Sequence, residues 1–451
     1  MGKDEQNIKM SSAADESVLL YCPDTTKRVE YAFRFITGEI TNQPFTITHD
    51  REAFQQSEAI KINYSREPLG TKALNIFPIG LLQETGIRPQ SIQCVDHNEM
   101  KIFFQTDGDL GFDIFSAIFY LLSRYEEYLP YPPDKYGRFP HTQSLAFQNG
   151  FYQQPLINEW LQQLQTKLSE LFPAFKPKEK HFQFLPTYDI DISRSYLHKG
   201  FLRNSANLVK EVLLLKWGKA AERLQVLSDR KKDPYDTFNF ITELHHSYNI
   251  PSQYFFLVAR RTSQYDKNIP PLHPQQQKLI RQLAQTASIG LHPSWQSNTD
   301  ARALQWEHKT LSEILGQPVT TSRQHYLKLN IPDTYRALLS LEVTDDYTMG
   351  HAGINGFRAS IASPFKWYDL EKETETNLTI HPFCFMDATA VYYDHNSPQQ
   401  AFEELQMLYH RVKKVNGFFC MIWHNSSFCD KNEFSGWRDM YASFLHWAGQ
   451  Q

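Results

Sequence analysis

No stretch of this chain is long and apolar enough to cross a bilayer. The longest apolar run, near Phe112–Leu122, is broken by Asp113 and Ser116 and falls short of the ~20 residues a spanning helix needs. There is no C-x-x-C pair. The five cysteines, Cys22, Cys94, Cys384, Cys420 and Cys429, are odd in number and scattered, so they read as reduced, buried thiols, not a disulfide framework. Lysine and arginine form no dense cluster, and the formal net charge is −4, which excludes a dedicated nucleic-acid binder. Met1–Ser17 is polar and charged and lacks the apolar core of a signal peptide, so it reads as a disordered tail. Internal repeats and low-complexity segments are also missing. These absences point to a soluble cytoplasmic protein without a membrane span; they leave the oligomeric state open.

What the chain does have is apolar and aromatic material. Of its 451 residues, 41% are hydrophobic and 14% aromatic, enough for a large core and for two to three domains, or a small domain plus a barrel. Short apolar segments (Val18–Cys22, Phe45–His49, Ala59–Tyr64, Ser91–Val95, Lys101–Phe104) alternate with helical patterns at Arg28–Thr37 and Asp113–Tyr128, which predicts a small α/β domain over 18–172. In the second of these helices Ile114, Ile118, Leu121, Leu122 and Tyr125 share one face. Arg124, Glu126, Glu127 and Arg138 read as a salt-bridged surface. Pro173–Lys180, rich in Pro and Lys, is the expected linker. From 181 to 451, strands and helices alternate again. The strand candidates are Leu185–Ser193, Gln253–Val258, Ser288–Leu291, Thr320–His325, Leu341–Val343, Gly356–Arg358, Leu378–Ile380 and Phe418–Trp423. Repeated β-α units over about 260 residues fit a (β/α) barrel, whose chemistry gathers at the C-terminal strand ends.

The first strand of that set ends in Thr187-Tyr-Asp-Ile-Asp191. Residues two apart on a strand face the same side, so Asp189 and Asp191 bring two like charges together. A metal ion or a shared proton offsets that repulsion; two solvated aspartates at a strand end would also account for it. Other strand ends carry His292 in Gly-Leu-His-Pro-Ser-Trp, Arg323 and His325 in Ser-Arg-Gln-His-Tyr, Arg358 in Gly-Phe-Arg, and His424 in Met-Ile-Trp-His-Asn. Any one of them could be a packing residue. The recurrence at successive ends is what suggests a site.

The order and type of these motifs resemble the polysaccharide deacetylase family over Phe182 to the C-terminus. The region upstream, with Ser-Arg-Tyr-Glu-Glu-Tyr and Asp-Lys-Tyr-Gly-Arg-Phe, is similar to a domain of unknown activity that precedes divergent deacetylase domains in bacterial proteins. The resemblance implies a distorted (β/α) barrel preceded by a smaller α/β domain. It also implies a zinc ion (another divalent metal being possible) and hydrolysis of the N-acetyl, sometimes O-acetyl, group of a glycan or sugar precursor. Carried over residue by residue, Asp189 is the general base, Asp191 and His292 are metal ligands, Arg323 supports Asp189, and His424 in Ile-Trp-His is the general acid. The family's second metal histidine, four after the first, is replaced here by Gln296, while His325 stands where the third motif has proline. His325 is therefore expected as the third ligand, two after Arg323 on one strand and facing the same side. Asp387 in Met-Asp-Ala is a candidate for the degenerate fourth motif. Arg358, Trp295, Tyr326 and Trp423 are candidate substrate contacts, since aromatic faces stack on sugar rings; a core role fits the aromatic ones equally. The partner expected is an acetylated glycan or amino sugar. A non-catalytic glycan binder on a decayed barrel, or a hydrolase of a non-sugar amide, are the alternatives.

Overall fold

A computed structural model describes residues 16–451. The expected tail Met1–Ser17 thus lies outside the described residues except at its end. There the chain is already tied down just before the first strand: the Ser17 carbonyl accepts from the Ile60 N–H at 2.8 Å, and Gln43 Nε2 donates to the Glu16 carbonyl at 2.6 Å. No described helix is long and apolar enough to cross a membrane.

The chain forms two compact units that do not follow it end to end. The first runs to Pro130 and adds Pro155–His181 and Trp367–Thr376; the second takes Tyr131–Gln154, Phe182–Lys366 and Asn377–Gln451.

The first unit holds a parallel sheet of β1 (Val18–Tyr21), β2 (Phe45–Thr48), β3 (Ile60–Asn63) and β4 (Leu74–Asn75) in the order β2-β1-β3-β4. A separate hairpin joins β5 (Val95–His97) to β6 (Met100–Ile102) through Asn98 and Glu99, both at positive φ, as a tight two-residue turn needs. The helix Lys27–Ile40 begins where Thr26 accepts from the Val29 N–H and buries Val29, Phe33, Ile36 and Ile40. The helix Ile114–Leu122 departs from the expected one-sided pattern, because all nine of its residues are buried. Ser116 within it is satisfied by the helix's own cap, Asp113, with Oγ to Oδ2 at 2.6 Å. The expected salt-bridged surface at Arg124, Glu126 and Glu127 is also corrected. Arg124 is 1% and Glu127 4% exposed, and the guanidinium is enclosed between the two carboxylates at 2.7 and 2.8 Å.

The strands of the larger sheet are β7 (Gln183–Ile190), β8 (Gln253–Leu257), β9 (Ser288–His292), β10 (Thr321–Ser322), β11 (Asp345–Asp346), β12 (Phe365–Asp369), β13 (Thr374–Ile380), β14 (Phe385–Met386) and β15 (Phe418–His424). Their order is β12-β13-β11-β10-β9-β8-β7-β15-β14. The ladders from β13 through β14 are all parallel. The result is a mixed α/β architecture on parallel sheets. The order has two ends, β12 and β14, with no ladder joining them among the described residues. Alternation along the strands separates two cores. Tyr188, Tyr254, Phe256, Leu291, Phe419, Met421 and Trp423 pack outward into the larger cluster, which takes in residues of the covering helices. Phe255, Cys420 and Ile422 face inward with Leu327, Tyr347 and Phe383. Three expected strands are displaced. Gly356–Arg358 is a turn with Gly356 at φ +144°, where a Cβ would run into the Tyr152 ring. Leu341–Val343 precedes its strand, and only Thr321–Ser322 of Thr320–His325 is extended. Short polar strand ends carry too little alternation to fix their limits.

Candidate metal centre and active cleft

Strand parity places the site. On β7 the outward residues Tyr188 and Ile190 are anchored in the larger core, so Thr187 and Asp189 point inward and Asp191 follows at the strand's C-terminal edge. Asp189 is 3% exposed; its Oδ1 accepts from Arg323 Nη1 at 2.9 Å. Arg323 is fully buried and pinned from several sides: Nη1 also donates to Thr187 Oγ1 at 2.7 Å, Nε to the Tyr347 carbonyl at 2.9 Å, and its plane lies 4.4 Å from the centre of the Phe255 ring. Phe255 occupies that place because its neighbour in register is Gly290, where a Cβ would come within 2.6 Å of the ring.

Asp191 faces two imidazoles. Its Oδ1 lies 3.2 Å from His292 Nε2 and its Oδ2 3.4 Å from His325 Nε2. Each histidine is oriented through its other nitrogen. His292 Nδ1 donates to the Arg323 carbonyl at 2.6 Å, and His325 Nδ1 to Asp266 Oδ1 at 3.0 Å. Both Nε2 atoms are therefore turned toward Asp191, the arrangement found around metal-ligating histidines. Asp191 Oδ1 is buried without a hydrogen-bond partner. One donor atom from each of Asp191, His292 and His325 can be chosen so that all lie within 4.8 Å of one another, and this set of one oxygen and two nitrogens suits a divalent cation. Burial disfavours ionised Asp191, but the surrounding imidazoles outweigh it and hold its carboxyl well below the usual range. Burial likewise opposes charge on His325, yet Asp191 and Asp266 push it up to about 9.

His424 closes the other side. Its Nε2 is 3.9 Å from Asp191 Oδ2. Nδ1 meets Asp387 Oδ1 at 2.7 Å, and its backbone N–H donates to Asp387 Oδ2 at 2.8 Å. Ser427 donates to the same carboxylate. Against the cost of burial, Asp387, Asp191 and Asp189 push His424 up to about 10. The imidazolium is therefore the resting form, and it can give up a proton.

These groups open into a cleft of about 470 Å³ lined also by Lys135, Tyr136, Arg138, Tyr326, Tyr392 and Phe434. Asp189, Asp191, His292, Arg323, His325 and His424 are thus brought together. His325 arrives differently from the expected strand geometry: β10 ends at Ser322, and His325 opens a 3-10 turn. Of the substrate candidates, Tyr326 lines the cleft. Trp295 is packed behind it, stacked on Tyr265 at 4.2 Å with Lys328 4.0 Å over its ring. Arg358 is 1% exposed, donates to the Gly350 carbonyl at 3.0 Å and lines an adjoining cavity. Trp423 is corrected: it is fully buried, stacked on Phe428, because its parity on β15 is opposite to that of Ile422 and His424.

Asp266 was not foreseen. It lies beyond β8, whose end carries no polar motif, and that gap between two neighbours that carry candidate site residues was the available signal. The cleft-wall role of Asp134–Phe139 was also missed. The loop's density of charge and aromatics is visible in the sequence, but Arg138 was assigned to the surface, whereas it is 7% exposed.

Residues 18–173 match a family of unknown function (DUF7033). No curated protein matches the chain. Among solved structures, the chain is similar to a putative polysaccharide deacetylase from Mycobacterium smegmatis, at 13% identity over 61% of this chain and 86% of that one, with a TM-score of 0.39. It is also similar to a probable polysaccharide deacetylase from Pseudomonas aeruginosa PAO1 (12% identity, 60% and 85% covered, TM-score 0.37). A third similar structure is a CE4 family pseudoenzyme from Bacillus anthracis (8% identity, 60% and 62% covered, TM-score 0.30).

Proposed function

We propose that this chain is a metal-dependent hydrolase that removes an acetyl group, foremost an N-acetyl group, from a glycan or sugar precursor, on a distorted (β/α) barrel. The observation that carries the reading is the convergence of Asp191, His292 and His325 around a buried, unpartnered carboxylate oxygen, with a buried Asp–Arg pair and an Asp–His pair beside it. The acetyl substrate rests on the resemblance of the motifs to polysaccharide deacetylases.

Asp191, His292 and His325 would hold the cation, zinc before other divalent ions. Bound there, it would supply Lewis-acid polarisation of a carbonyl and a more acidic water. The remaining tasks belong to the chain. Asp189 keeps Oδ1 on Arg323, which leaves Oδ2 to accept a proton from the attacking water. His424, protonated at neutral pH and held at Nδ1 by Asp387, gives the Nε2 proton to the departing amine. Tyr326 and Tyr136 offer aromatic surface for a sugar ring.

Elemental analysis after mild dialysis and acetate release from an acetylated panel test the reading together. About one zinc per chain and release from N-acetylated amino-sugar oligomers are expected. Release from non-sugar acetamides alone would reassign the substrate. Metal-loaded protein that releases nothing, yet binds the oligomers, would make the chain a glycan binder.

A further inference from the structure

The turn that presents His325 is held by a piece of chain far from it in sequence. Past β10 the backbone reverses through His325–Leu327, with φ of +59° at Tyr326 and +50° at Leu327. Two successive left-handed residues with side chains persist only where their surroundings over-determine them. The near side of the turn is fixed by the His325 N–H on the Pro293 carbonyl at 3.1 Å, and the ring rotation by Asp266. On the far side, where the left-handed residues lie, the Leu327 N–H closes on the Gln324 carbonyl at 2.9 Å and Asn298 Nδ2 donates to the Lys328 carbonyl at 2.7 Å, but neither holds the Tyr326 carbonyl.

Arg138 does. Its Nη1 donates to the Tyr326 carbonyl at 2.6 Å, across 188 positions of sequence. Its Nε donates to Asp134 Oδ2 at 2.8 Å. Asp134 Oδ1 in turn accepts the backbone N–H groups of Tyr136 at 2.8 Å and Arg138 at 2.9 Å. Asp134–Arg138 is therefore a closed turn that locks its own guanidinium. The Tyr136 ring completes the brace, 4.8 Å from that guanidinium and 5.5 Å from the Tyr326 ring, which lies 4.6 Å from the ring of His325.

We infer that Arg138, locked by Asp134, is a positioning residue for the metal site: it fixes the Tyr326 carbonyl, and through that turn it aims His325 at Asp191. The inference rests on the reading of His325 as a ligand. A ligand carried on a strained turn is only as well placed as the group that holds the turn; partners hydrogen-bonded directly to a ligand are worth about 10–100-fold in metal affinity, and Arg138, acting from one residue away, belongs at the lower end.

A thermodynamic cycle tests it without recourse to catalysis. Zinc affinity is measured by competition with a chromophoric chelator for the full chain, Arg138→Ala, His325→Ala and the double variant. Arg138→Ala should bind zinc about 10-fold more weakly, the lower end of that range. In the His325→Ala background the same substitution should change nothing further, because its effect runs through His325. An equal loss in both backgrounds would mean general loosening and would overturn the inference. So would an unchanged affinity in Arg138→Ala, which would leave the metal reading standing. Wild-type protein that takes up no zinc overturns both. If circular dichroism finds Arg138→Ala unfolded, Asp134→Asn unlocks the guanidinium without removing it. A smaller loss confined to the His325 background is then expected, and no loss overturns the inference.

Discussion

Both units bury charge, but they satisfy it differently. In the first, Arg124 is enclosed by Glu126 and Glu127. Asp113, fully buried, accepts from the Ser116 N–H, the Ser116 and Tyr64 hydroxyls and the Ile79 N–H. Arg28 spans Glu373 and the carbonyls of Leu81 and Gly86. In the second unit Asp189, Asp266 and Asp387 are met by Arg323, His325 and His424. Asp191 Oδ1, however, is left as the one buried carboxylate oxygen without a hydrogen-bond partner among the described residues. Buried charge alone therefore does not distinguish a structural cluster from a candidate site. What distinguishes them is a buried oxygen left over beside two imidazole nitrogens that are themselves pre-oriented.

Substitutions should separate the two kinds of cluster. The largest effect is expected at Asp191 and Asp189. Asp191→Asn should lose both the metal and hydrolysis with its melting temperature kept. Asp189→Asn should retain the metal while hydrolysis falls about 10²–10⁴-fold. Metal content and acetate release measure both, and two variants with full metal and full activity would make the aspartate pair structural.

Arg124→Ala is the opposite case. It leaves two buried carboxylates facing each other and should cost about 3–5 kcal/mol in denaturant unfolding, with metal content unchanged. A neutral outcome would mean that the first unit tolerates uncompensated charge, and the contrast would fail.

A smaller change is expected at Asp387. It is the leading group that raises His424 to about 10. A raised histidine pKa keeps the protonated form below that value and loses it above. In Asp387→Asn the basic limb of the kcat profile should therefore move down, by a unit or more, with activity at pH 10 falling about fivefold or more. A limb that stays in place would remove His424 from proton donation.

The smallest effect belongs to Glu307. Burial raises it from 4.5 to about 7 despite the Ser294 N–H at 3.0 Å. Between these values the folded chain binds more protons than the unfolded one, so stability falls as pH rises across that window. Glu307→Gln should flatten this dependence and gain ~1–3 kcal/mol at pH 8. A melting curve series from pH 4.5 to 8 that keeps its slope in the variant would place the effect elsewhere.

Sequence by itself determined the residues of the candidate site, because strand parity and position at strand ends are local properties. Asp189 near the end of β7 and Asp191 just past it, His292 at the end of β9 and His424 at the end of β15 follow from period-two alternation and the C-terminal-edge rule. The same alternation could have removed Trp423, which sits between two inward residues. Only the tertiary structure decided the rest. His325 reaches Asp191 from a left-handed turn, and such turns leave no periodic signature. Asp266 and Arg138 act from segments 59 and 188 positions away from their partners. Whether Arg124 lies on a surface or inside depends on what covers it, and the same charges at the same spacing would read alike in either place. Local spacing fixes direction within an element, whereas burial and long-range pairing are properties of the packed whole.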